Sequence, residues 1–511
     1  MPDLSAPIKH VILLMLENAS CDRYLGCLTE SILPDFDGIK KESPGKNLVG
    51  SKTYLQEPTQ EVQVQWDPHH EQEDILTQMK DGNSNFVSHY SETYKDATEY
   101  ELKQIMGYFS FDFLPAHHGL AKSFRPCDAW FSSLPGPTWP NRFFALSGTS
   151  NGLAVMPDSK RFFKTARMVY SEVQPTIFTR LAEKNRTFKI FYHDFPSSLV
   201  LLQNLKDEVR SNYILFEEKF KEMAAGPESN FPEFSFIEAR YNGINQNDDH
   251  PPHSVMKGQK LIADVYNAIR KNPDLWKSTL LVILHDEHGG FYDHVVPPKE
   301  APTPAPKKET DEYDFTQFGI RVPAILVSPW VRHGTEKTRF DHTSLLKFLR
   351  EKWQLGDLGD RVGSDLTNSI LSAFDFSMPM RTDTVEEIIV SEGQLISPHP
   401  EWELSPTTHH FANDLFRNVL MDNVGSQVVR ELSDKTQTQG NIKVILMKAG
   451  VIMLYEFIID FFRGLFENME AKKVRKEAQH ATKNAVVRGL LETGFKAQSP
   501  DNSMSSKKLN K

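Results

Sequence analysis

Two acidic pairs stand at the ends of two apolar runs. Glu17-Asn18 follows VILLML at 11–16, and Asp286-Glu287 follows LLVIL at 280–284, with His285 between. In wound α/β sheets, ligands gather at the carboxyl ends of the strands, so neighbouring strands would bring these four side chains together. Carboxylates held that close repel one another unless they are protonated or share a cation. A divalent metal resolves the conflict. One pair alone reads as the solvated end of a strand; two pairs at the same topological position favour a shared site. Thr138 lies in SLPGPTWPNR at 133–142. Two prolines and a glycine precede it, and Pro140 suits the first turn of a helix. A hydroxyl at a helix N-terminus meets N–H groups that favour a phosphate, and beside a metal it can be ionised to attack phosphorus. Taken alone, Thr138 reads as a helix cap.

The chain holds 18 histidines. His117 and His118 (LPAHHGLA), His250 and His253 (DDHPPH), His288 (DEHGG), His294 (FYDH) and His342 (FDHTS) sit in polar, turn-like contexts. Imidazoles ligate metals, donate to phosphate oxygens or protonate a leaving group. Three or four of them are expected in the site, the others being structural.

The elements that must position these residues follow from pattern. Residues 8–16, 188–192, 279–284 and 322–327 read as buried strands, and 140–147, 173–184, 256–271 and 342–353 as helices. Near-continuous apolar strands alternating with helices predict an α/β domain with a wound, mostly parallel sheet. Residues 50–105 and 200–250 read as excursions from the sheet that wall a pocket. The aromatics of 50–130 (Phe86, Tyr90, Tyr94, Tyr108, Phe109, Phe111, Phe113 and Trp130) serve either as an apolar wall for substrate or as core. Residues 297–312 form a Pro-rich charged loop. The domains expected are a catalytic domain over 1–375, a mixed segment over 376–440 with strand-like fragments such as VEEIIV, a helical extension over 441–494 and a disordered tail over 495–511.

With 511 residues, 39% apolar and 25% charged, the chain is long enough for one large domain and a smaller unit. Its net charge of −10 argues against nucleic-acid partners. Three cysteines, with no CxxC pair, make neither a disulfide framework nor a thiolate zinc site. The N-terminal stretch lacks the charge and apolar length of a secretory leader. The expectation is synthesis in the cytoplasm without a cleavable signal, with leaderless export or action on host membranes as routes outward. The helix over 441–494 would pack on the protein or touch a membrane surface.

The segments IKHVILLMLENASCDRYLG, CDAWFSSLPGPTWPNRFFALSGTS, NDDHPPHSVMKGQKLIADVYNAI, LLVILHDEHGGFYDHVVPP, FGIRVPAILVSPWV and FDHTSLLKFLREKW run in order from residue 8 to about 353. The sequence thereby resembles the phosphoesterase family of bacterial phosphatidylcholine-preferring phospholipases C, plant non-specific phospholipases C and a bacterial acid phosphatase. The resemblance implies an alkaline-phosphatase-like fold with one catalytic metal. It places Glu17, Asn18, Asp286 and Glu287 as metal ligands, with Thr138 as a nucleophile whose oxygen also faces the metal. His117, His250, His253 and His342 would surround the phosphoryl group, while His288 and His294 are the more structural members of their motif. Ala19, Ser20 and Cys21 depart from the family's pattern before Asp22, and His285 stands where an aromatic is common. These changes bear on substrate preference.

The reaction this implies is hydrolysis of a glycerophospholipid, of phosphatidylcholine type, to diacylglycerol and the phosphorylated head group through a phosphothreonine. The oxygen-rich ligands suit Mg, Mn or Ca; the neighbouring histidines and the bacterial relatives favour zinc. A broad acid phosphatase is the alternative, and a silent membrane- or protein-binding module a remote one.

Overall fold

The computed structural model describes residues 7–156, 174–194, 196–201, 204, 206–241, 245–302, 313–400 and 402. The expectations for 441–494, for 495–511, for most of 376–440 and for 303–312 of the Pro-rich loop lie outside these residues. So do 173, at the start of an expected helix, and part of the 200–250 excursion.

The sheet has seven strands: β1 (His10–Leu16), β2 (Arg125–Pro126), β3 (Phe188–Tyr192), β4 (Tyr213–Leu215), β5 (Phe234–Glu238), β6 (Thr279–His285) and β7 (Ala324–Val327). Their spatial order is β2-β7-β6-β1-β5-β3-β4. β1 runs parallel to β6 and to β5, and β3 runs parallel to β5 and β4. β7 is antiparallel to β6, and β2 to β7. Every residue of β1 and β6 is buried, as central strands covered on both faces must be.

Helices used below are α1 (Cys21–Leu25), α2 (Gln72–Gln78), α3 (Phe86–Thr93), α4 (Glu99–Gln104), α5 (Pro115–Ser123), α6 (Thr138–Ser147), α7 (Ile177–Glu183), α8 (Phe216–Ala225), α9 (Val255–Arg270) and α10 (His342–Trp353). The helices expected at 140–147, 173–184, 256–271 and 342–353 are α6, α7, α9 and α10. α9 forms because Val255, Ile262, Val265, Tyr266 and Ile269 fall on one buried face.

Two expectations need correction, and one open alternative is decided. The 200–250 stretch is no simple excursion, since it supplies β4 and β5, and β5 pairs directly with β1. FSFIE is short and carries Ser235 and Glu238, so its apolar pattern is broken. The fragment VEEIIV is not a strand. It is pinned to α9 instead: Tyr266 Oη donates to Val385 O, and the Ile388 N–H donates to Asn267 Oδ1 at 2.9 Å. The aromatics Phe86, Tyr90, Tyr108, Phe109 and Trp130 are buried and are core, not a substrate wall.

Residues 50–105 do leave the sheet. The hairpin Lys46–Val49/Lys52–Leu55 and helices α2–α4 pack Tyr54, Ile75, Phe86, Tyr90 and Leu102 against Tyr292 and Ile320. Cys21, Cys27 and Cys127 are buried free thiols. Among the described residues no helix is long and apolar enough to cross a membrane.

Candidate active site

The parallel register of β1 and β6 sets Leu16 beside His285. The strands therefore end level, and Glu17-Asn18 and Asp286-Glu287 emerge side by side. All four are buried. The Asn18 N–H donates to Asp286 Oδ1 at 3.3 Å, and the Glu287 N–H donates to the same oxygen at 2.8 Å. Burial, with Glu17 and Glu287 alongside, pushes the Asp286 carboxyl up to about 7 despite a nearby guanidinium. Asn18 Oδ1 and Glu287 Oε1 are buried and accept no hydrogen bond. Buried oxygens without donors are costly, and a cation among them would relieve that cost.

The guanidinium is that of Arg142. Its Nη2 lies 3.0 Å from Glu17 Oε1, and its Nε donates to Asp286 Oδ2 at 2.7 Å. Arg142 belongs to α6, whose first residue is the buried Thr138. Positions four apart share a helix face. Thr138 thus begins the helix one turn, about 6 Å along the axis, before the residue whose side chain joins both carboxylates. The turn before it is clasped by Asn141, whose Nδ2 donates to Gly136 O at 2.7 Å and whose Oδ1 accepts from the Leu134 N–H at 3.2 Å. The PGPTWPNR segment is therefore one device: a stapled turn, a hydroxyl at a helix start, and an arginine one turn on.

The DEHGG turn brings a second group of residues to the site. Gly289 (φ +61°) lies against Asn18, where an added Cβ would meet Asn18 Cβ at 2.6 Å. Gly290 (φ +72°) does the same against Pro68, at 2.6 Å from Pro68 Cβ. Both positions need glycine for backbone conformation and for approach. Beyond Pro68 stands His70, with Nε2 3.6 Å from Glu287 Oε1 and 3.4 Å from Asn18 Nδ2. Burial opposes charge on His70, but Glu287 and Asp67 hold its imidazolium up to about 10. Asp67, His70 and His250 present ligand atoms all within 4.8 Å of one another, a group that could hold a metal ion. His70 Nδ1 donates to Pro68 O and His250 Nδ1 to Pro251 O, each at 2.6 Å, which turns both Nε2 atoms toward the cluster.

The remaining histidines divide. His253 Nδ1 donates to Asp248 Oδ1 at 2.5 Å, and its ring lies 6.3 Å from that of His250. The Asp248 carbonyl accepts from the Glu17 N–H at 2.7 Å, which ties this Asp–His pair to the end of β1. His342 is differently employed. Its Nε2 donates to the Asp286 carbonyl at 2.6 Å and its Nδ1 accepts from Trp130 Nε1 at 3.3 Å. Both nitrogens are engaged with protein, so its place here is to position Asp286 rather than to face a phosphoryl group. Burial holds it down to about 4, hence neutral. His117 sits on α5 against Tyr24, His285 and Gln259, with Gln259 Nε2 donating to its Nδ1 at 2.8 Å. Its contacts lie in that aromatic cluster and not with Glu17, Asn18, Asp286 or Glu287. His288 packs on Gln78 and Glu287. His294 pairs with Asp22 at 2.9 Å and Asp37 at 3.3 Å. Asp22, Asp293 and His294 also form a compact group, but unlike Asn18 Oδ1 and Glu287 Oε1 its carboxylate oxygens all accept hydrogen bonds, among them those from Arg321, at 3.1 Å from Asp22 and 2.9 Å from Asp293.

Sequence reasoning missed Arg142, Asp67, His70 and Asp248. The i, i+4 spacing from Thr138 points to Arg142. Nothing periodic surrounds Asp67 and His70, which only the close approach at Gly290 delivers to the site.

Comparison with known proteins finds relatives over much of the chain. Non-specific phospholipase C6 of Arabidopsis thaliana is 34% identical over 371 residues, covering 68% of this chain and 69% of that protein. Phospholipase C B of Mycobacterium tuberculosis is 26% identical over 431 residues, covering 73% of this chain and 78% of its own. A solved protein of the alkaline phosphatase superfamily from Vibrio parahaemolyticus superposes at a TM-score of 0.29 with 10% identity, over 49% of this chain and 63% of that one. The phosphoesterase family model matches residues 8–356, which span β1 to just past α10. With that match extending over well over half its length, the chain belongs to the phosphoesterase family.

Proposed function

We propose that the chain is a metal-dependent phospholipase C that cleaves phosphatidylcholine-type glycerophospholipids through Thr138. The observation that carries this reading is the convergence of Glu17, Asn18, Asp286 and Glu287 at the level ends of β1 and β6, with Thr138 one helical turn from the arginine that joins them. Phospholipases C among its relatives support the substrate class.

Glu17, Asn18, Asp286, Glu287 and the Thr138 oxygen would hold one divalent cation. That cation, when bound, lowers the pKa of a coordinated hydroxyl and draws charge from a phosphoryl oxygen. Thr138 Oγ1, its proton released to solvent on ionisation, forms a bond to phosphorus as the in-line bond to the diacylglycerol oxygen breaks. His70, with His250 beside it, offers hydrogen bonds to phosphoryl oxygens. His253, oriented by Asp248, gives the proton to the leaving alcohol. His253 then takes a proton from the water that opens the phosphothreonine and releases the phosphorylated head group. The nearby imidazoles make zinc the proposed ion, though the oxygen ligands also accept calcium, manganese or magnesium.

The Thr138→Ala protein should lose about a thousandfold or more in turnover while melting at the wild-type temperature. Diacylglycerol release from phosphatidylcholine, measured beside hydrolysis of a soluble phosphomonoester and elemental analysis of the purified protein, tests the reading. Faster monoester hydrolysis, or undiminished activity in Thr138→Ala, would overturn it.

A further inference from the structure

The aromatics inside the 50–105 insertion are core, but two at its edge are not. Trp66 is 44% exposed and Tyr100 is 55% exposed. They share one patch. Trp66 Nε1 donates to Glu101 Oε1 at 2.8 Å, Glu101 adjoins Tyr100 on α4, and Glu61 lies against the Tyr100 hydroxyl. The ring of Tyr94 flanks Trp66 at 5.6 Å.

This patch is rigidly joined to the site. Trp66 directly precedes Asp67 of the Asp67–His70–His250 group. Tyr90 Oη donates to Trp66 O at 3.3 Å, and Tyr94 Oη donates to Asp67 O at 2.6 Å. The insertion therefore holds an exposed indole on one side of a peptide bond and a site carboxylate on the other. Rings with an apolar body and a polar tip settle at the headgroup level of a bilayer.

Charge selects the kind of surface. Glu61 and Glu101 border the two rings, and of the lysines around them Lys52 pairs with Glu99, Lys103 lies 3.9 Å from Glu57, and Lys95 beside Tyr94 is exposed, so carboxylates at least balance cations at the rings. Anionic lipid is recognised by clustered lysine and arginine, whereas aromatic faces flanked by carboxylates attract quaternary ammonium groups. We propose that Trp66 and Tyr100 form an interfacial docking patch that seats the lip of the site on a zwitterionic, choline-bearing lipid surface. The patch gives the proposed phospholipase reading a mode of substrate access and rests on it only for that purpose.

The full chain carrying Thr138→Ala, which cannot turn lipid over on the proposed mechanism, is mixed with phosphatidylcholine vesicles. Indole emission should shift to the blue and be quenched by brominated acyl chains. Trp66→Phe, made in the same background, should abolish the shift, and Trp66→Ala with Tyr100→Ala should weaken vesicle cosedimentation about tenfold. Vesicles rich in phosphatidylserine should bind less than pure phosphatidylcholine. Equal binding by the double variant, or preference for the anionic vesicles, would overturn the docking proposal. Because these readouts need no turnover, a wild-type protein that binds the vesicles without releasing diacylglycerol would refute the activity reading and leave the patch standing.

Discussion

Arg142 bridges two carboxylates delivered by different strands, and it does so from the helix that begins with Thr138. A planar guanidinium reaches both partners at once; an ammonium reaches one. Arg142→Lys is therefore expected to lower kcat about a hundredfold with a much smaller change in KM, and to leave the fold intact by circular dichroism. Equal losses in Arg142→Lys and Arg142→Ala, tracking a fall in melting temperature, would reduce the residue to a structural ion pair. At this scale much of the site is legible in the sequence. Glu17, Asn18, Asp286 and Glu287 announce themselves because a charged pair directly after a buried apolar run has few other places to go. Thr138 is legible from its prolines. Asp67 and His70 are not, because their position depends on packing between a polar insertion and the DEHGG turn, and no local pattern encodes that. His342 illustrates the opposite case: its motif marks it, but only the geometry separates a group that faces substrate from one that holds a carbonyl.

Among the elements, the DEHGG turn has the narrowest tolerance. Gly289 adopts φ +61° and leaves no room for a Cβ beside Asn18. Gly289→Ala should cost about 1–3 kcal/mol of stability, and because Asn18 must move, bound metal measured by elemental analysis should fall with it. Gly393, with nothing within 4 Å of an added Cβ, is the control, and alanine there should change neither reading. The strands show why element patterns are only partly readable. β1 and β6 are central and, between the polar His10, Thr279 and His285 at their ends, apolar throughout, so burial is written into nearly every residue. β7 is equally apolar, yet its antiparallel direction is decided by its partner and the connection that leads to it. β5 is central too, but Ser235 and Glu238 interrupt its run. Glu238 is buried, accepting the N–H groups of Ser197 and Ser198 at 2.7 and 3.0 Å. A polar residue satisfied only by distant chain cannot be distinguished in sequence from one facing water.

Over the whole described unit, a largely buried Asp22–His294–Arg321–Asp293 network staples the segment after β1 to the segment after β6. Burial opposes a charged His294, but Asp22 and Asp37 raise it to about 10, against an ordinary value of 6.5. The folded protein thus keeps a proton that the unfolded chain releases. The resulting stabilisation is complete below about pH 6.5 and disappears as pH rises through about 10. Thermal midpoints taken from pH 6 to 10.5 should decline across that window, and His294→Gln should flatten the decline. A wild-type midpoint that climbs over the same range would contradict this assignment.

The level ends of β1 and β6 have an engineering consequence. Leu16 and His285 lie abreast, and alternate residues of a strand point to opposite sides. Adding or deleting a single residue inside either strand would swap inward for outward along everything downstream of the change and carry the acidic pair out of phase with its neighbour. Loops that merely connect can be lengthened with far less consequence. In redesigning this catalyst, the length of two short strands is the dimension to leave alone.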